Sequence, residues 1–362
     1  MDRREDTAAG WARRWIGELP IVAIAAALLA LCTAILAANG IGLNANPILA
    51  NARLFGFAVV AVASVDAVIH LARHRPAEPI AALHRRYAGP EALRRWLAGM
   101  PMLALCVMLI PFFSKMKAAI PLFADYTWDG TFIAWDRALF FGHDAWQVLQ
   151  PALGYPLVTA ALAFLYHAWF LLLYLGCLYF AFARIDSMVR RQFFLTYVLA
   201  WSVIGGGFAT LLASVGPCFV GPLLGDATFD AQMAYLRAAD AQVPVMTLDV
   251  QQMLLDWHRS DANGLGSGIT AMPSMHVAIV FLFWLALRRA ASRAGRWMLA
   301  FAAVIWIGSV HLAYHYAVDG IVSAVLVALL WRASGMVFAW WDARTGNARF
   351  QPALRTNTVP AE

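Results

Sequence analysis

The sequence predicts an all-α bundle of membrane-spanning helices, and three observations carry that prediction. Of the 362 residues, 62% are hydrophobic, and the mean hydropathy is +0.65. Only 13% are charged, about half the share found in soluble domains. Apolar runs of about 20 residues, the length that crosses a hydrocarbon core, recur along the chain. Because lipid offers no hydrogen-bond partner to the backbone, we expect each run to be helical.

Eight apolar segments reach this length or come close to it. In chain order they are Leu19–Asn39, Ala50–Ala72, Leu97–Pro121, Tyr155–Ala183, Phe193–Val215, Ile269–Leu287, Trp297–Ala313 and Tyr316–Trp340. We therefore predict about eight transmembrane helices in three parts. Residues 1–96 form an N-terminal cytoplasmic segment and two added spans, residues 97–341 form a six-span core, and residues 342–362 form a cytoplasmic tail.

The distribution of positive charge predicts the topology. A net charge of +6 could indicate binding to nucleic acid, but the basic residues lie in short clusters between apolar runs, so we expect no nucleic-acid partner. If the N-terminus is cytoplasmic, most of the 27 lysines and arginines fall on the cytoplasmic side. The bias supports an even number of spans with both termini inside. Two long loops, residues 122–154 and 216–268, then lie outside, and the aromatic residues of the first suit a short interfacial helix.

Ionisable residues gather at two span ends on this outer face, at Met272–His276 and at His311–Asp319. Such residues are costly in membranes and tend to be functional. His315 and Asp319 are four apart, so on a helix the carboxylate can fix the imidazole tautomer and leave the other ring nitrogen free to attack. His276 comes from another span and can face that nitrogen across a bound phosphate. Together they supply a nucleophile, an orienting carboxylate and a general acid.

Backbone groups near His276 could hold an anion. The turn Gly264–Gly268 and the start of the sixth span offer N–H groups, and Ser274 adds a hydroxyl. A zinc site is the alternative, since His311, His315 and Asp319 follow one another at i, i+4 spacing and His276 could complete the set. The sequence contains no HExxH motif, which lowers the prior for a metalloprotease.

The two clusters resemble the motifs of the type 2 phosphatidic acid phosphatase superfamily of lipid phosphatases and phosphotransferases. Its PSGH-like motif corresponds to Pro273-Ser-Met-His276, and the RxxxxxHxxxD part of its SRxxxxxHxxxD motif corresponds to Ser309 through Asp319. Three positions differ: Met275 replaces the glycine, the arginine six residues before His315 is absent and Ser309 stands there, and no KxxxxxxRP motif occurs. These differences resemble the branch that contains inositol phosphorylceramide synthase, and the segment from Tyr126 to Gly142 resembles that branch's first outer loop.

The resemblance implies a six-helix catalytic core that works without cofactor or metal. It implies His315 as the nucleophile, Asp319 as its orienter, and His276 as the acid that protonates the leaving group. The expected substrate is a membrane phospholipid or lipid phosphate, and the expected reaction transfers a phospho-headgroup to a lipid alcohol of the ceramide or diacylglycerol type. The active site is expected on the periplasmic, lumenal or extracellular face. A lipid phosphate phosphatase is the second hypothesis, and a lipid transporter or scramblase is the third.

The resemblance does not say what holds the phosphate, because the usual cations are missing. Basic candidates on the outer face are Arg259, Lys115, Arg137 and His311. Arg137 and Arg259 could instead pair with neighbouring aspartates, and Lys115 could extend its ammonium to the interface. Gly268 and Ser274 complete the predicted phosphate site. The sequence leaves the oligomeric state open.

Overall fold

The computed structural model describes residues 8–42, 45–183, 185–260, 264 and 266–346, and within them every regular element is helical. The prediction of an all-α membrane bundle is confirmed. The helices are α1 Ala8–Ala38, α2 Asn46–His74, α3 Pro79–Ala88, α4 Pro90–Ala118, α5 Asp129–Leu139, α6 Ala145–Leu153, α7 Pro156–Phe182, α8 Ser187–Leu199, α9 Asp230–Asp240, α10 Thr247–Ser260, α11 Met275–Ala290, α12 Ser292–His311 and α13 Ala317–Thr345. Helix α8 continues as a π-helical stretch, Ala200–Phe208, and a last turn, Ala209–Leu211. Short turns cover Ile120–Leu122, Pro217–Phe219, Val220–Leu224 and Ala227–Phe229.

Seven helices of the described part are long and apolar enough to cross a membrane, and the chain is an integral membrane protein. They are α1, α2, α4, α7, α8 with its extension, α12 and α13. The predicted sixth span, Ile269–Leu287, is the exception. Its helix α11 begins only at Met275 and has 16 residues, or about 24 Å at the usual rise, less than the roughly 30 Å of the hydrocarbon core.

The late start of α11 has a local cause. Pro273 disfavours helical conformation in the residue before it, and the hydroxyl of Ser274 accepts from the N–H of Val277, 3.5 Å away, as an N-cap. The preceding segment is irregular, and its backbone bonds to the segment that follows α8. Ala271 and Met272 donate their N–H groups to the carbonyl and hydroxyl oxygens of Ser214, at 3.0 and 3.2 Å. Irregular backbone is tolerated at membrane depth where protein buries it.

Helix α11 is the centre of the bundle and contacts α7, α8, α12 and α13. Phe283 on α11 is fully buried. It lies over Gly176 of α7, where an added Cβ would come within 2.3 Å of its ring. Membrane helices associate through such close packing rather than through hydrophobic transfer. The tight fit fixes the position of α11, and therefore of His276 at its start.

The N-terminal helix α1 packs into the same bundle, against α4, α8 and α13. Buried Arg190 of α8 forms an ion pair with Glu18 of α1. Arg191 pairs with Asp342 of α13 at 2.8 Å, and Trp341 donates to the carbonyl of Ile16. These polar contacts join the ends of the helices that the charge pattern places in the cytoplasm. The predicted division at residue 96 stays a prediction, and the segments 1–7 and 347–362 lie outside the described residues.

The opposite end of the bundle brings the two long loops together. Tyr126 of the first loop donates to the carbonyl of Ile269 at 2.9 Å. Gln251 of α10 donates to the carbonyl of Leu312 at 2.8 Å, and Gln232 of α9 donates to that of Val310 at 2.8 Å. The segment before α11 and the loop before α13 are thereby held at one end of the molecule. His276 lies in the first turn of α11, and His315 lies in the loop before α13.

Thiol labelling tests which side of the membrane this end faces. His143, exposed between α5 and α6, lies on the predicted outer side, and exposed Arg293, at the start of α12, lies on the inner side. We expect His143→Cys to react with an impermeant thiol reagent in intact cells, and Arg293→Cys to react only after permeabilisation. The wild type gives the background, since its four cysteines are buried or half-buried. The reverse labelling would overturn the topology. Asp261, another outer-loop position, lies outside the described residues.

Candidate functional site

The pair His315 and Asp319 forms as the spacing predicts. Nδ1 of His315 lies 3.0 Å from Oδ2 of Asp319, and Asp319 is fully buried. An ionised carboxylate only accepts hydrogen bonds, so Nδ1 carries the proton and Nε2 keeps its lone pair. The same Oδ2 accepts the N–H of Tyr316 at 3.2 Å. The arrangement suits a nitrogen nucleophile whose ring is held in one tautomer and one orientation.

The loop that carries His315 is fixed on two sides. The last residue of α12 is His311, and α13 begins at Ala317. Ala313 takes a left-handed conformation, with φ of +61°, which turns the chain. The N–H of His315 then donates back to the carbonyl of Ser309 at 3.2 Å. Five residues thus join the two helices. The predicted spans, which end at Ala313 and begin at Tyr316, left a connection of two residues.

Two aspartates of α5 form hydrogen bonds to this loop and to the start of α13. Asp136 accepts the N–H groups of Ala317 and Val318 at 2.8 and 2.9 Å, two of the donors that a helix start leaves unpaired. Burial raises the pKa of Asp136 to about 6, although these two donors act against the rise. Asp129 accepts the Tyr316 hydroxyl at 2.7 Å. The sequence placed both aspartates in the first outer loop but gave neither a role.

Asp129 also joins the first long loop to the second. Its carboxylate accepts the N–H groups of Val215 and Gly216 at 3.0 to 3.1 Å. It is 3% exposed, so each of these bonds is sheltered from water. Asp129 therefore contacts the segment after α8 and the start of α13 at once. A buried carboxylate that joins these segments is a positioning group for the loop of His315.

His276 lies in the first turn of α11, inside a wall of aromatic rings. Its imidazole stacks on Tyr166 of α7, with centroids 4.4 Å apart and an interplanar angle of 18°. Trp169, one turn along α7, lies 4.3 Å away, and its indole donates to the carbonyl of His276 at 3.1 Å. The ring of Tyr166 also stacks on Tyr314, at 5.1 Å and 15°. One ring thus separates His276 from the residue next to His315.

The two histidines act on each other electrostatically, as does the ammonium of Lys117 on His276. Lys117 lies in the last turn of α4, and its backbone contacts the glycine-rich turn. Gly268 has φ of +89°, and a Cβ there would lie 2.8 Å from the carbonyl oxygen of Lys117. Both the conformation and the close approach require glycine. The sequence named Lys115 as one of four basic candidates, and the structure adds Lys117, whose charge acts on His276.

The other predicted phosphate ligands differ in their burial and in their hydrogen-bond partners. His311 is buried, and its Nε2 lies 2.9 Å from the hydroxyl of Thr159, which in turn contacts Tyr235. Arg137 pairs with Asp144 at 2.7 Å, one of the two arrangements that the sequence allowed. Arg259 is exposed at the end of α10. Ser274 caps α11, and in the glycine-rich turn the N–H of Gly266 donates to Ser114 at 2.9 Å.

The zinc alternative has no assembled site in the part of the chain that the structure describes. No group of three or more histidine, cysteine, aspartate or glutamate side chains there is arranged to hold a metal ion. His311 contacts Thr159, whereas His315 contacts Asp319. The i, i+4 relation that links His311 to His315 in sequence is broken by the turn at Ala313.

Comparison with known proteins identifies the family. A family model described as the PAP2 superfamily matches residues 130–333, a segment that contains His276, His315 and Asp319. No curated protein and no solved structure matches the sequence. The family match supports a phosphatase-type or phosphotransferase-type activity on lipids. Because the matched segment covers more than half of the chain, the protein belongs to the PAP2 superfamily.

Proposed function

We propose that the protein transfers a phospho-headgroup from a membrane phospholipid to a lipid alcohol, through a phosphohistidine at His315, on the non-cytoplasmic face of the membrane. The single observation that carries the proposal is the buried pair of His315 and Asp319, 3.0 Å apart, with His276 of another helix linked to Tyr314, next to His315, through the ring of Tyr166. A held nucleophile and a separate acid on facing elements are the parts that covalent phosphoryl transfer needs.

In the first step, Nε2 of His315 attacks phosphorus. The N–P bond forms while the bond from phosphorus to the departing lipid alkoxide breaks. His276 gives its proton to that alkoxide, so the leaving group departs as an alcohol. Asp319 keeps the proton on Nδ1 and stabilises the positive charge that develops on the ring.

In the second step, the acceptor alcohol enters opposite the N–P bond. His276, now neutral, takes the hydroxyl proton, and the oxygen attacks phosphorus as the N–P bond breaks. His315 is restored with its lone pair on Nε2, and His276 is restored with its proton. The sum is an exchange of one alkoxide for another on phosphorus, with protons and charge balanced.

The surroundings of His276 favour an alcohol over water as the acceptor. Tyr166 and Trp169 cover the imidazole, and the ring centroid of Phe170 lies 6.1 Å from that of His276. Such an apolar wall suits the alkyl chain of a lipid alcohol and reduces the access of water. This supports a ceramide-type or diacylglycerol-type acceptor, in line with the motif resemblance to inositol phosphorylceramide synthase. Hydrolysis of a lipid phosphate is the alternative reaction of the same site.

The polar groups of the other spans give no support to a transporter. Asp66 of α2 is held by the guanidinium of Arg86, with both contacts at 2.6 Å, and by the hydroxyl of Tyr87. His167 of α7 bonds to the carbonyl of Ala163, one turn earlier on its own helix. These groups are engaged locally and do not line up across the bundle.

Incubation of the purified protein in lipid vesicles tests the reaction. The vesicles contain a phospholipid with an isotopically labelled phospho-headgroup and either ceramide or diacylglycerol, and the products are identified by mass spectrometry. We expect the label on the added alcohol. Label found only as free phosphate or free phospho-headgroup would establish the hydrolase instead. No labelled product with any donor, from protein that retains its fold, would overturn both reactions.

Substitution of the two lysines tests what holds the phosphate. Lys117→Met should lower kcat/KM by about 10- to 100-fold, the loss expected for one hydrogen bond to a charged group. Lys115→Met is the matched control, two residues earlier in the same helix turn, and should stay within about twofold of the wild type, as expected for a cation that makes no charge-assisted bond to the phosphate. The measurement is initial rate against donor concentration. A loss with Lys115→Met alone would assign the phosphate to that residue.

A further inference from the structure

Tyr166 occupies a central place in the site that the sequence did not single out. It lies midway along α7, and its ring is stacked between the imidazole of His276 and the ring of Tyr314. Only 3% of Tyr166 is exposed. Its side chain thereby contacts both His276 and the loop residue that precedes His315.

The hydroxyl of Tyr166 is buried and has no hydrogen-bond partner among the described residues. Buried phenols usually find one, because leaving a buried hydroxyl without a partner is unfavourable. The hydroxyl also lies within electrostatic range of Asp319 and Cys218. An unsatisfied donor so close to the nucleophile pair requires an explanation, and a ligand that accepts its hydrogen bond supplies one.

The reaction creates a need for such donors. Charge develops on the non-bridging oxygens of phosphorus, and fixed donors aimed at these oxygens are a large part of catalysis. The described cations and hydroxyls near the site are largely engaged: Arg137 with Asp144, His311 with Thr159, and Ser309 with the carbonyl of Trp306. Buried hydroxyls without a partner among the described residues include those of Tyr166, Ser267 and Thr270. Of these three residues, Tyr166 is the one whose ring stacks on His276.

We infer that the Tyr166 hydroxyl donates a hydrogen bond to a non-bridging phosphoryl oxygen in the transition states of both steps. This inference rests on the proposed function and adds a catalytic residue to it. The phenol keeps its proton throughout, so it stabilises charge and does not take part in proton transfer. Its ring stacks on the imidazole of His276 at the same time, so the donor of α7 holds the acid of α11 in place.

The variant Tyr166→Phe removes only the hydroxyl and keeps both stacks. We expect kcat to fall about 10²- to 10³-fold, the loss measured for a single oxyanion donor, with little change in KM. Vanadate, which can adopt the five-coordinate geometry of the transition state, should inhibit the variant more weakly by a similar factor. Because the hydroxyl is unpaired in the free protein, Tm should stay the same or rise.

Tyr197→Phe is the matched control. The Tyr197 hydroxyl on α8 is also buried, but its polar neighbours are Cys177, Cys106 and Trp201. This variant should keep wild-type kcat and vanadate inhibition. If the wild type turns over and Tyr166→Phe keeps full kcat, with or without a higher KM, the inference alone is overturned. If the wild type shows neither turnover nor vanadate binding, the proposed function fails and the inference falls with it.

Discussion

Replacing His315 with alanine should abolish activity on every substrate, because the phosphohistidine cannot form without its nitrogen. Nε2 is the lone-pair nitrogen, since Nδ1 bonds to Asp319 at 3.0 Å. Asp319→Asn should fold but lose on the order of 10⁴-fold in kcat, the scale known for the orienting carboxylate of a serine protease triad. An amide can donate to Nδ1 and so stabilise the wrong tautomer. Initial rates with a lipid donor measure both effects.

His143→Ala is the control for these variants, because His143 is an exposed histidine between α5 and α6. It should keep wild-type rates. Asp319→Asn needs a fold check, since its carboxylate also accepts the N–H of Tyr316. A Tm within a few degrees of the wild type would assign its lost rate to chemistry. Substantial activity in His315→Ala, on any phosphate ester, would rule out the covalent mechanism.

The sequence was sufficient for features that depend on nearby residues. Apolar runs long enough to cross a bilayer predicted the helices, because hydropathy and length alone decide that a segment enters lipid. The i, i+4 spacing predicted the contact of His315 with Asp319, although His315 lies just before α13 and not within it. The start of α11 was misplaced by six residues, from Ile269 to Met275. Hydropathy cannot tell an extended apolar segment buried in protein from a helical one.

Features that depend on distant residues could not be predicted. Asp136 accepts hydrogen bonds from the N–H groups of Ala317 and Val318, which lie 181 and 182 residues later in the chain. Asp129 accepts one from the hydroxyl of Tyr316, 187 residues later. Tyr166 reads in sequence as one more aromatic residue in an apolar span. Its place beside His276 arises only when α7 packs on α11.

Which of Lys115 and Lys117 faces His276 also could not be predicted from the sequence. The two residues are polar positions at one helix end, so hydropathy treats them alike. Each residue of an α-helix advances by about 100°, and positions two apart therefore point in nearly opposite directions. Which direction faces His276 is set by how α4 packs, and the glycine at Gly268, against the backbone of Lys117, records that packing.

Replacing His276 with alanine should give a loss that depends on the leaving group. A natural lipid leaves as a strongly basic alkoxide that needs a proton, so His276→Ala should reduce transfer by about 10²- to 10⁴-fold, the range of general acid catalysis. An aryl phosphate ester with an acidic phenol leaves without that proton, and much of its first-step rate should survive. The measurement compares kcat/KM for the two classes of ester in the wild type and in His276→Ala.

The same variant should trap the intermediate. Breakdown of the phosphohistidine needs a base to activate the acceptor, and His276 is the group placed to supply it. With the aryl ester, His276→Ala should release a burst of phenol close to one per protein and then slow, leaving acid-labile phosphate on His315. Intact-protein mass spectrometry would detect the adduct, and His276→Ala with His315→Ala together should show none. If His315→Ala alone cleaves the aryl ester while His276→Ala is inactive on it, the nucleophile and the acid are exchanged.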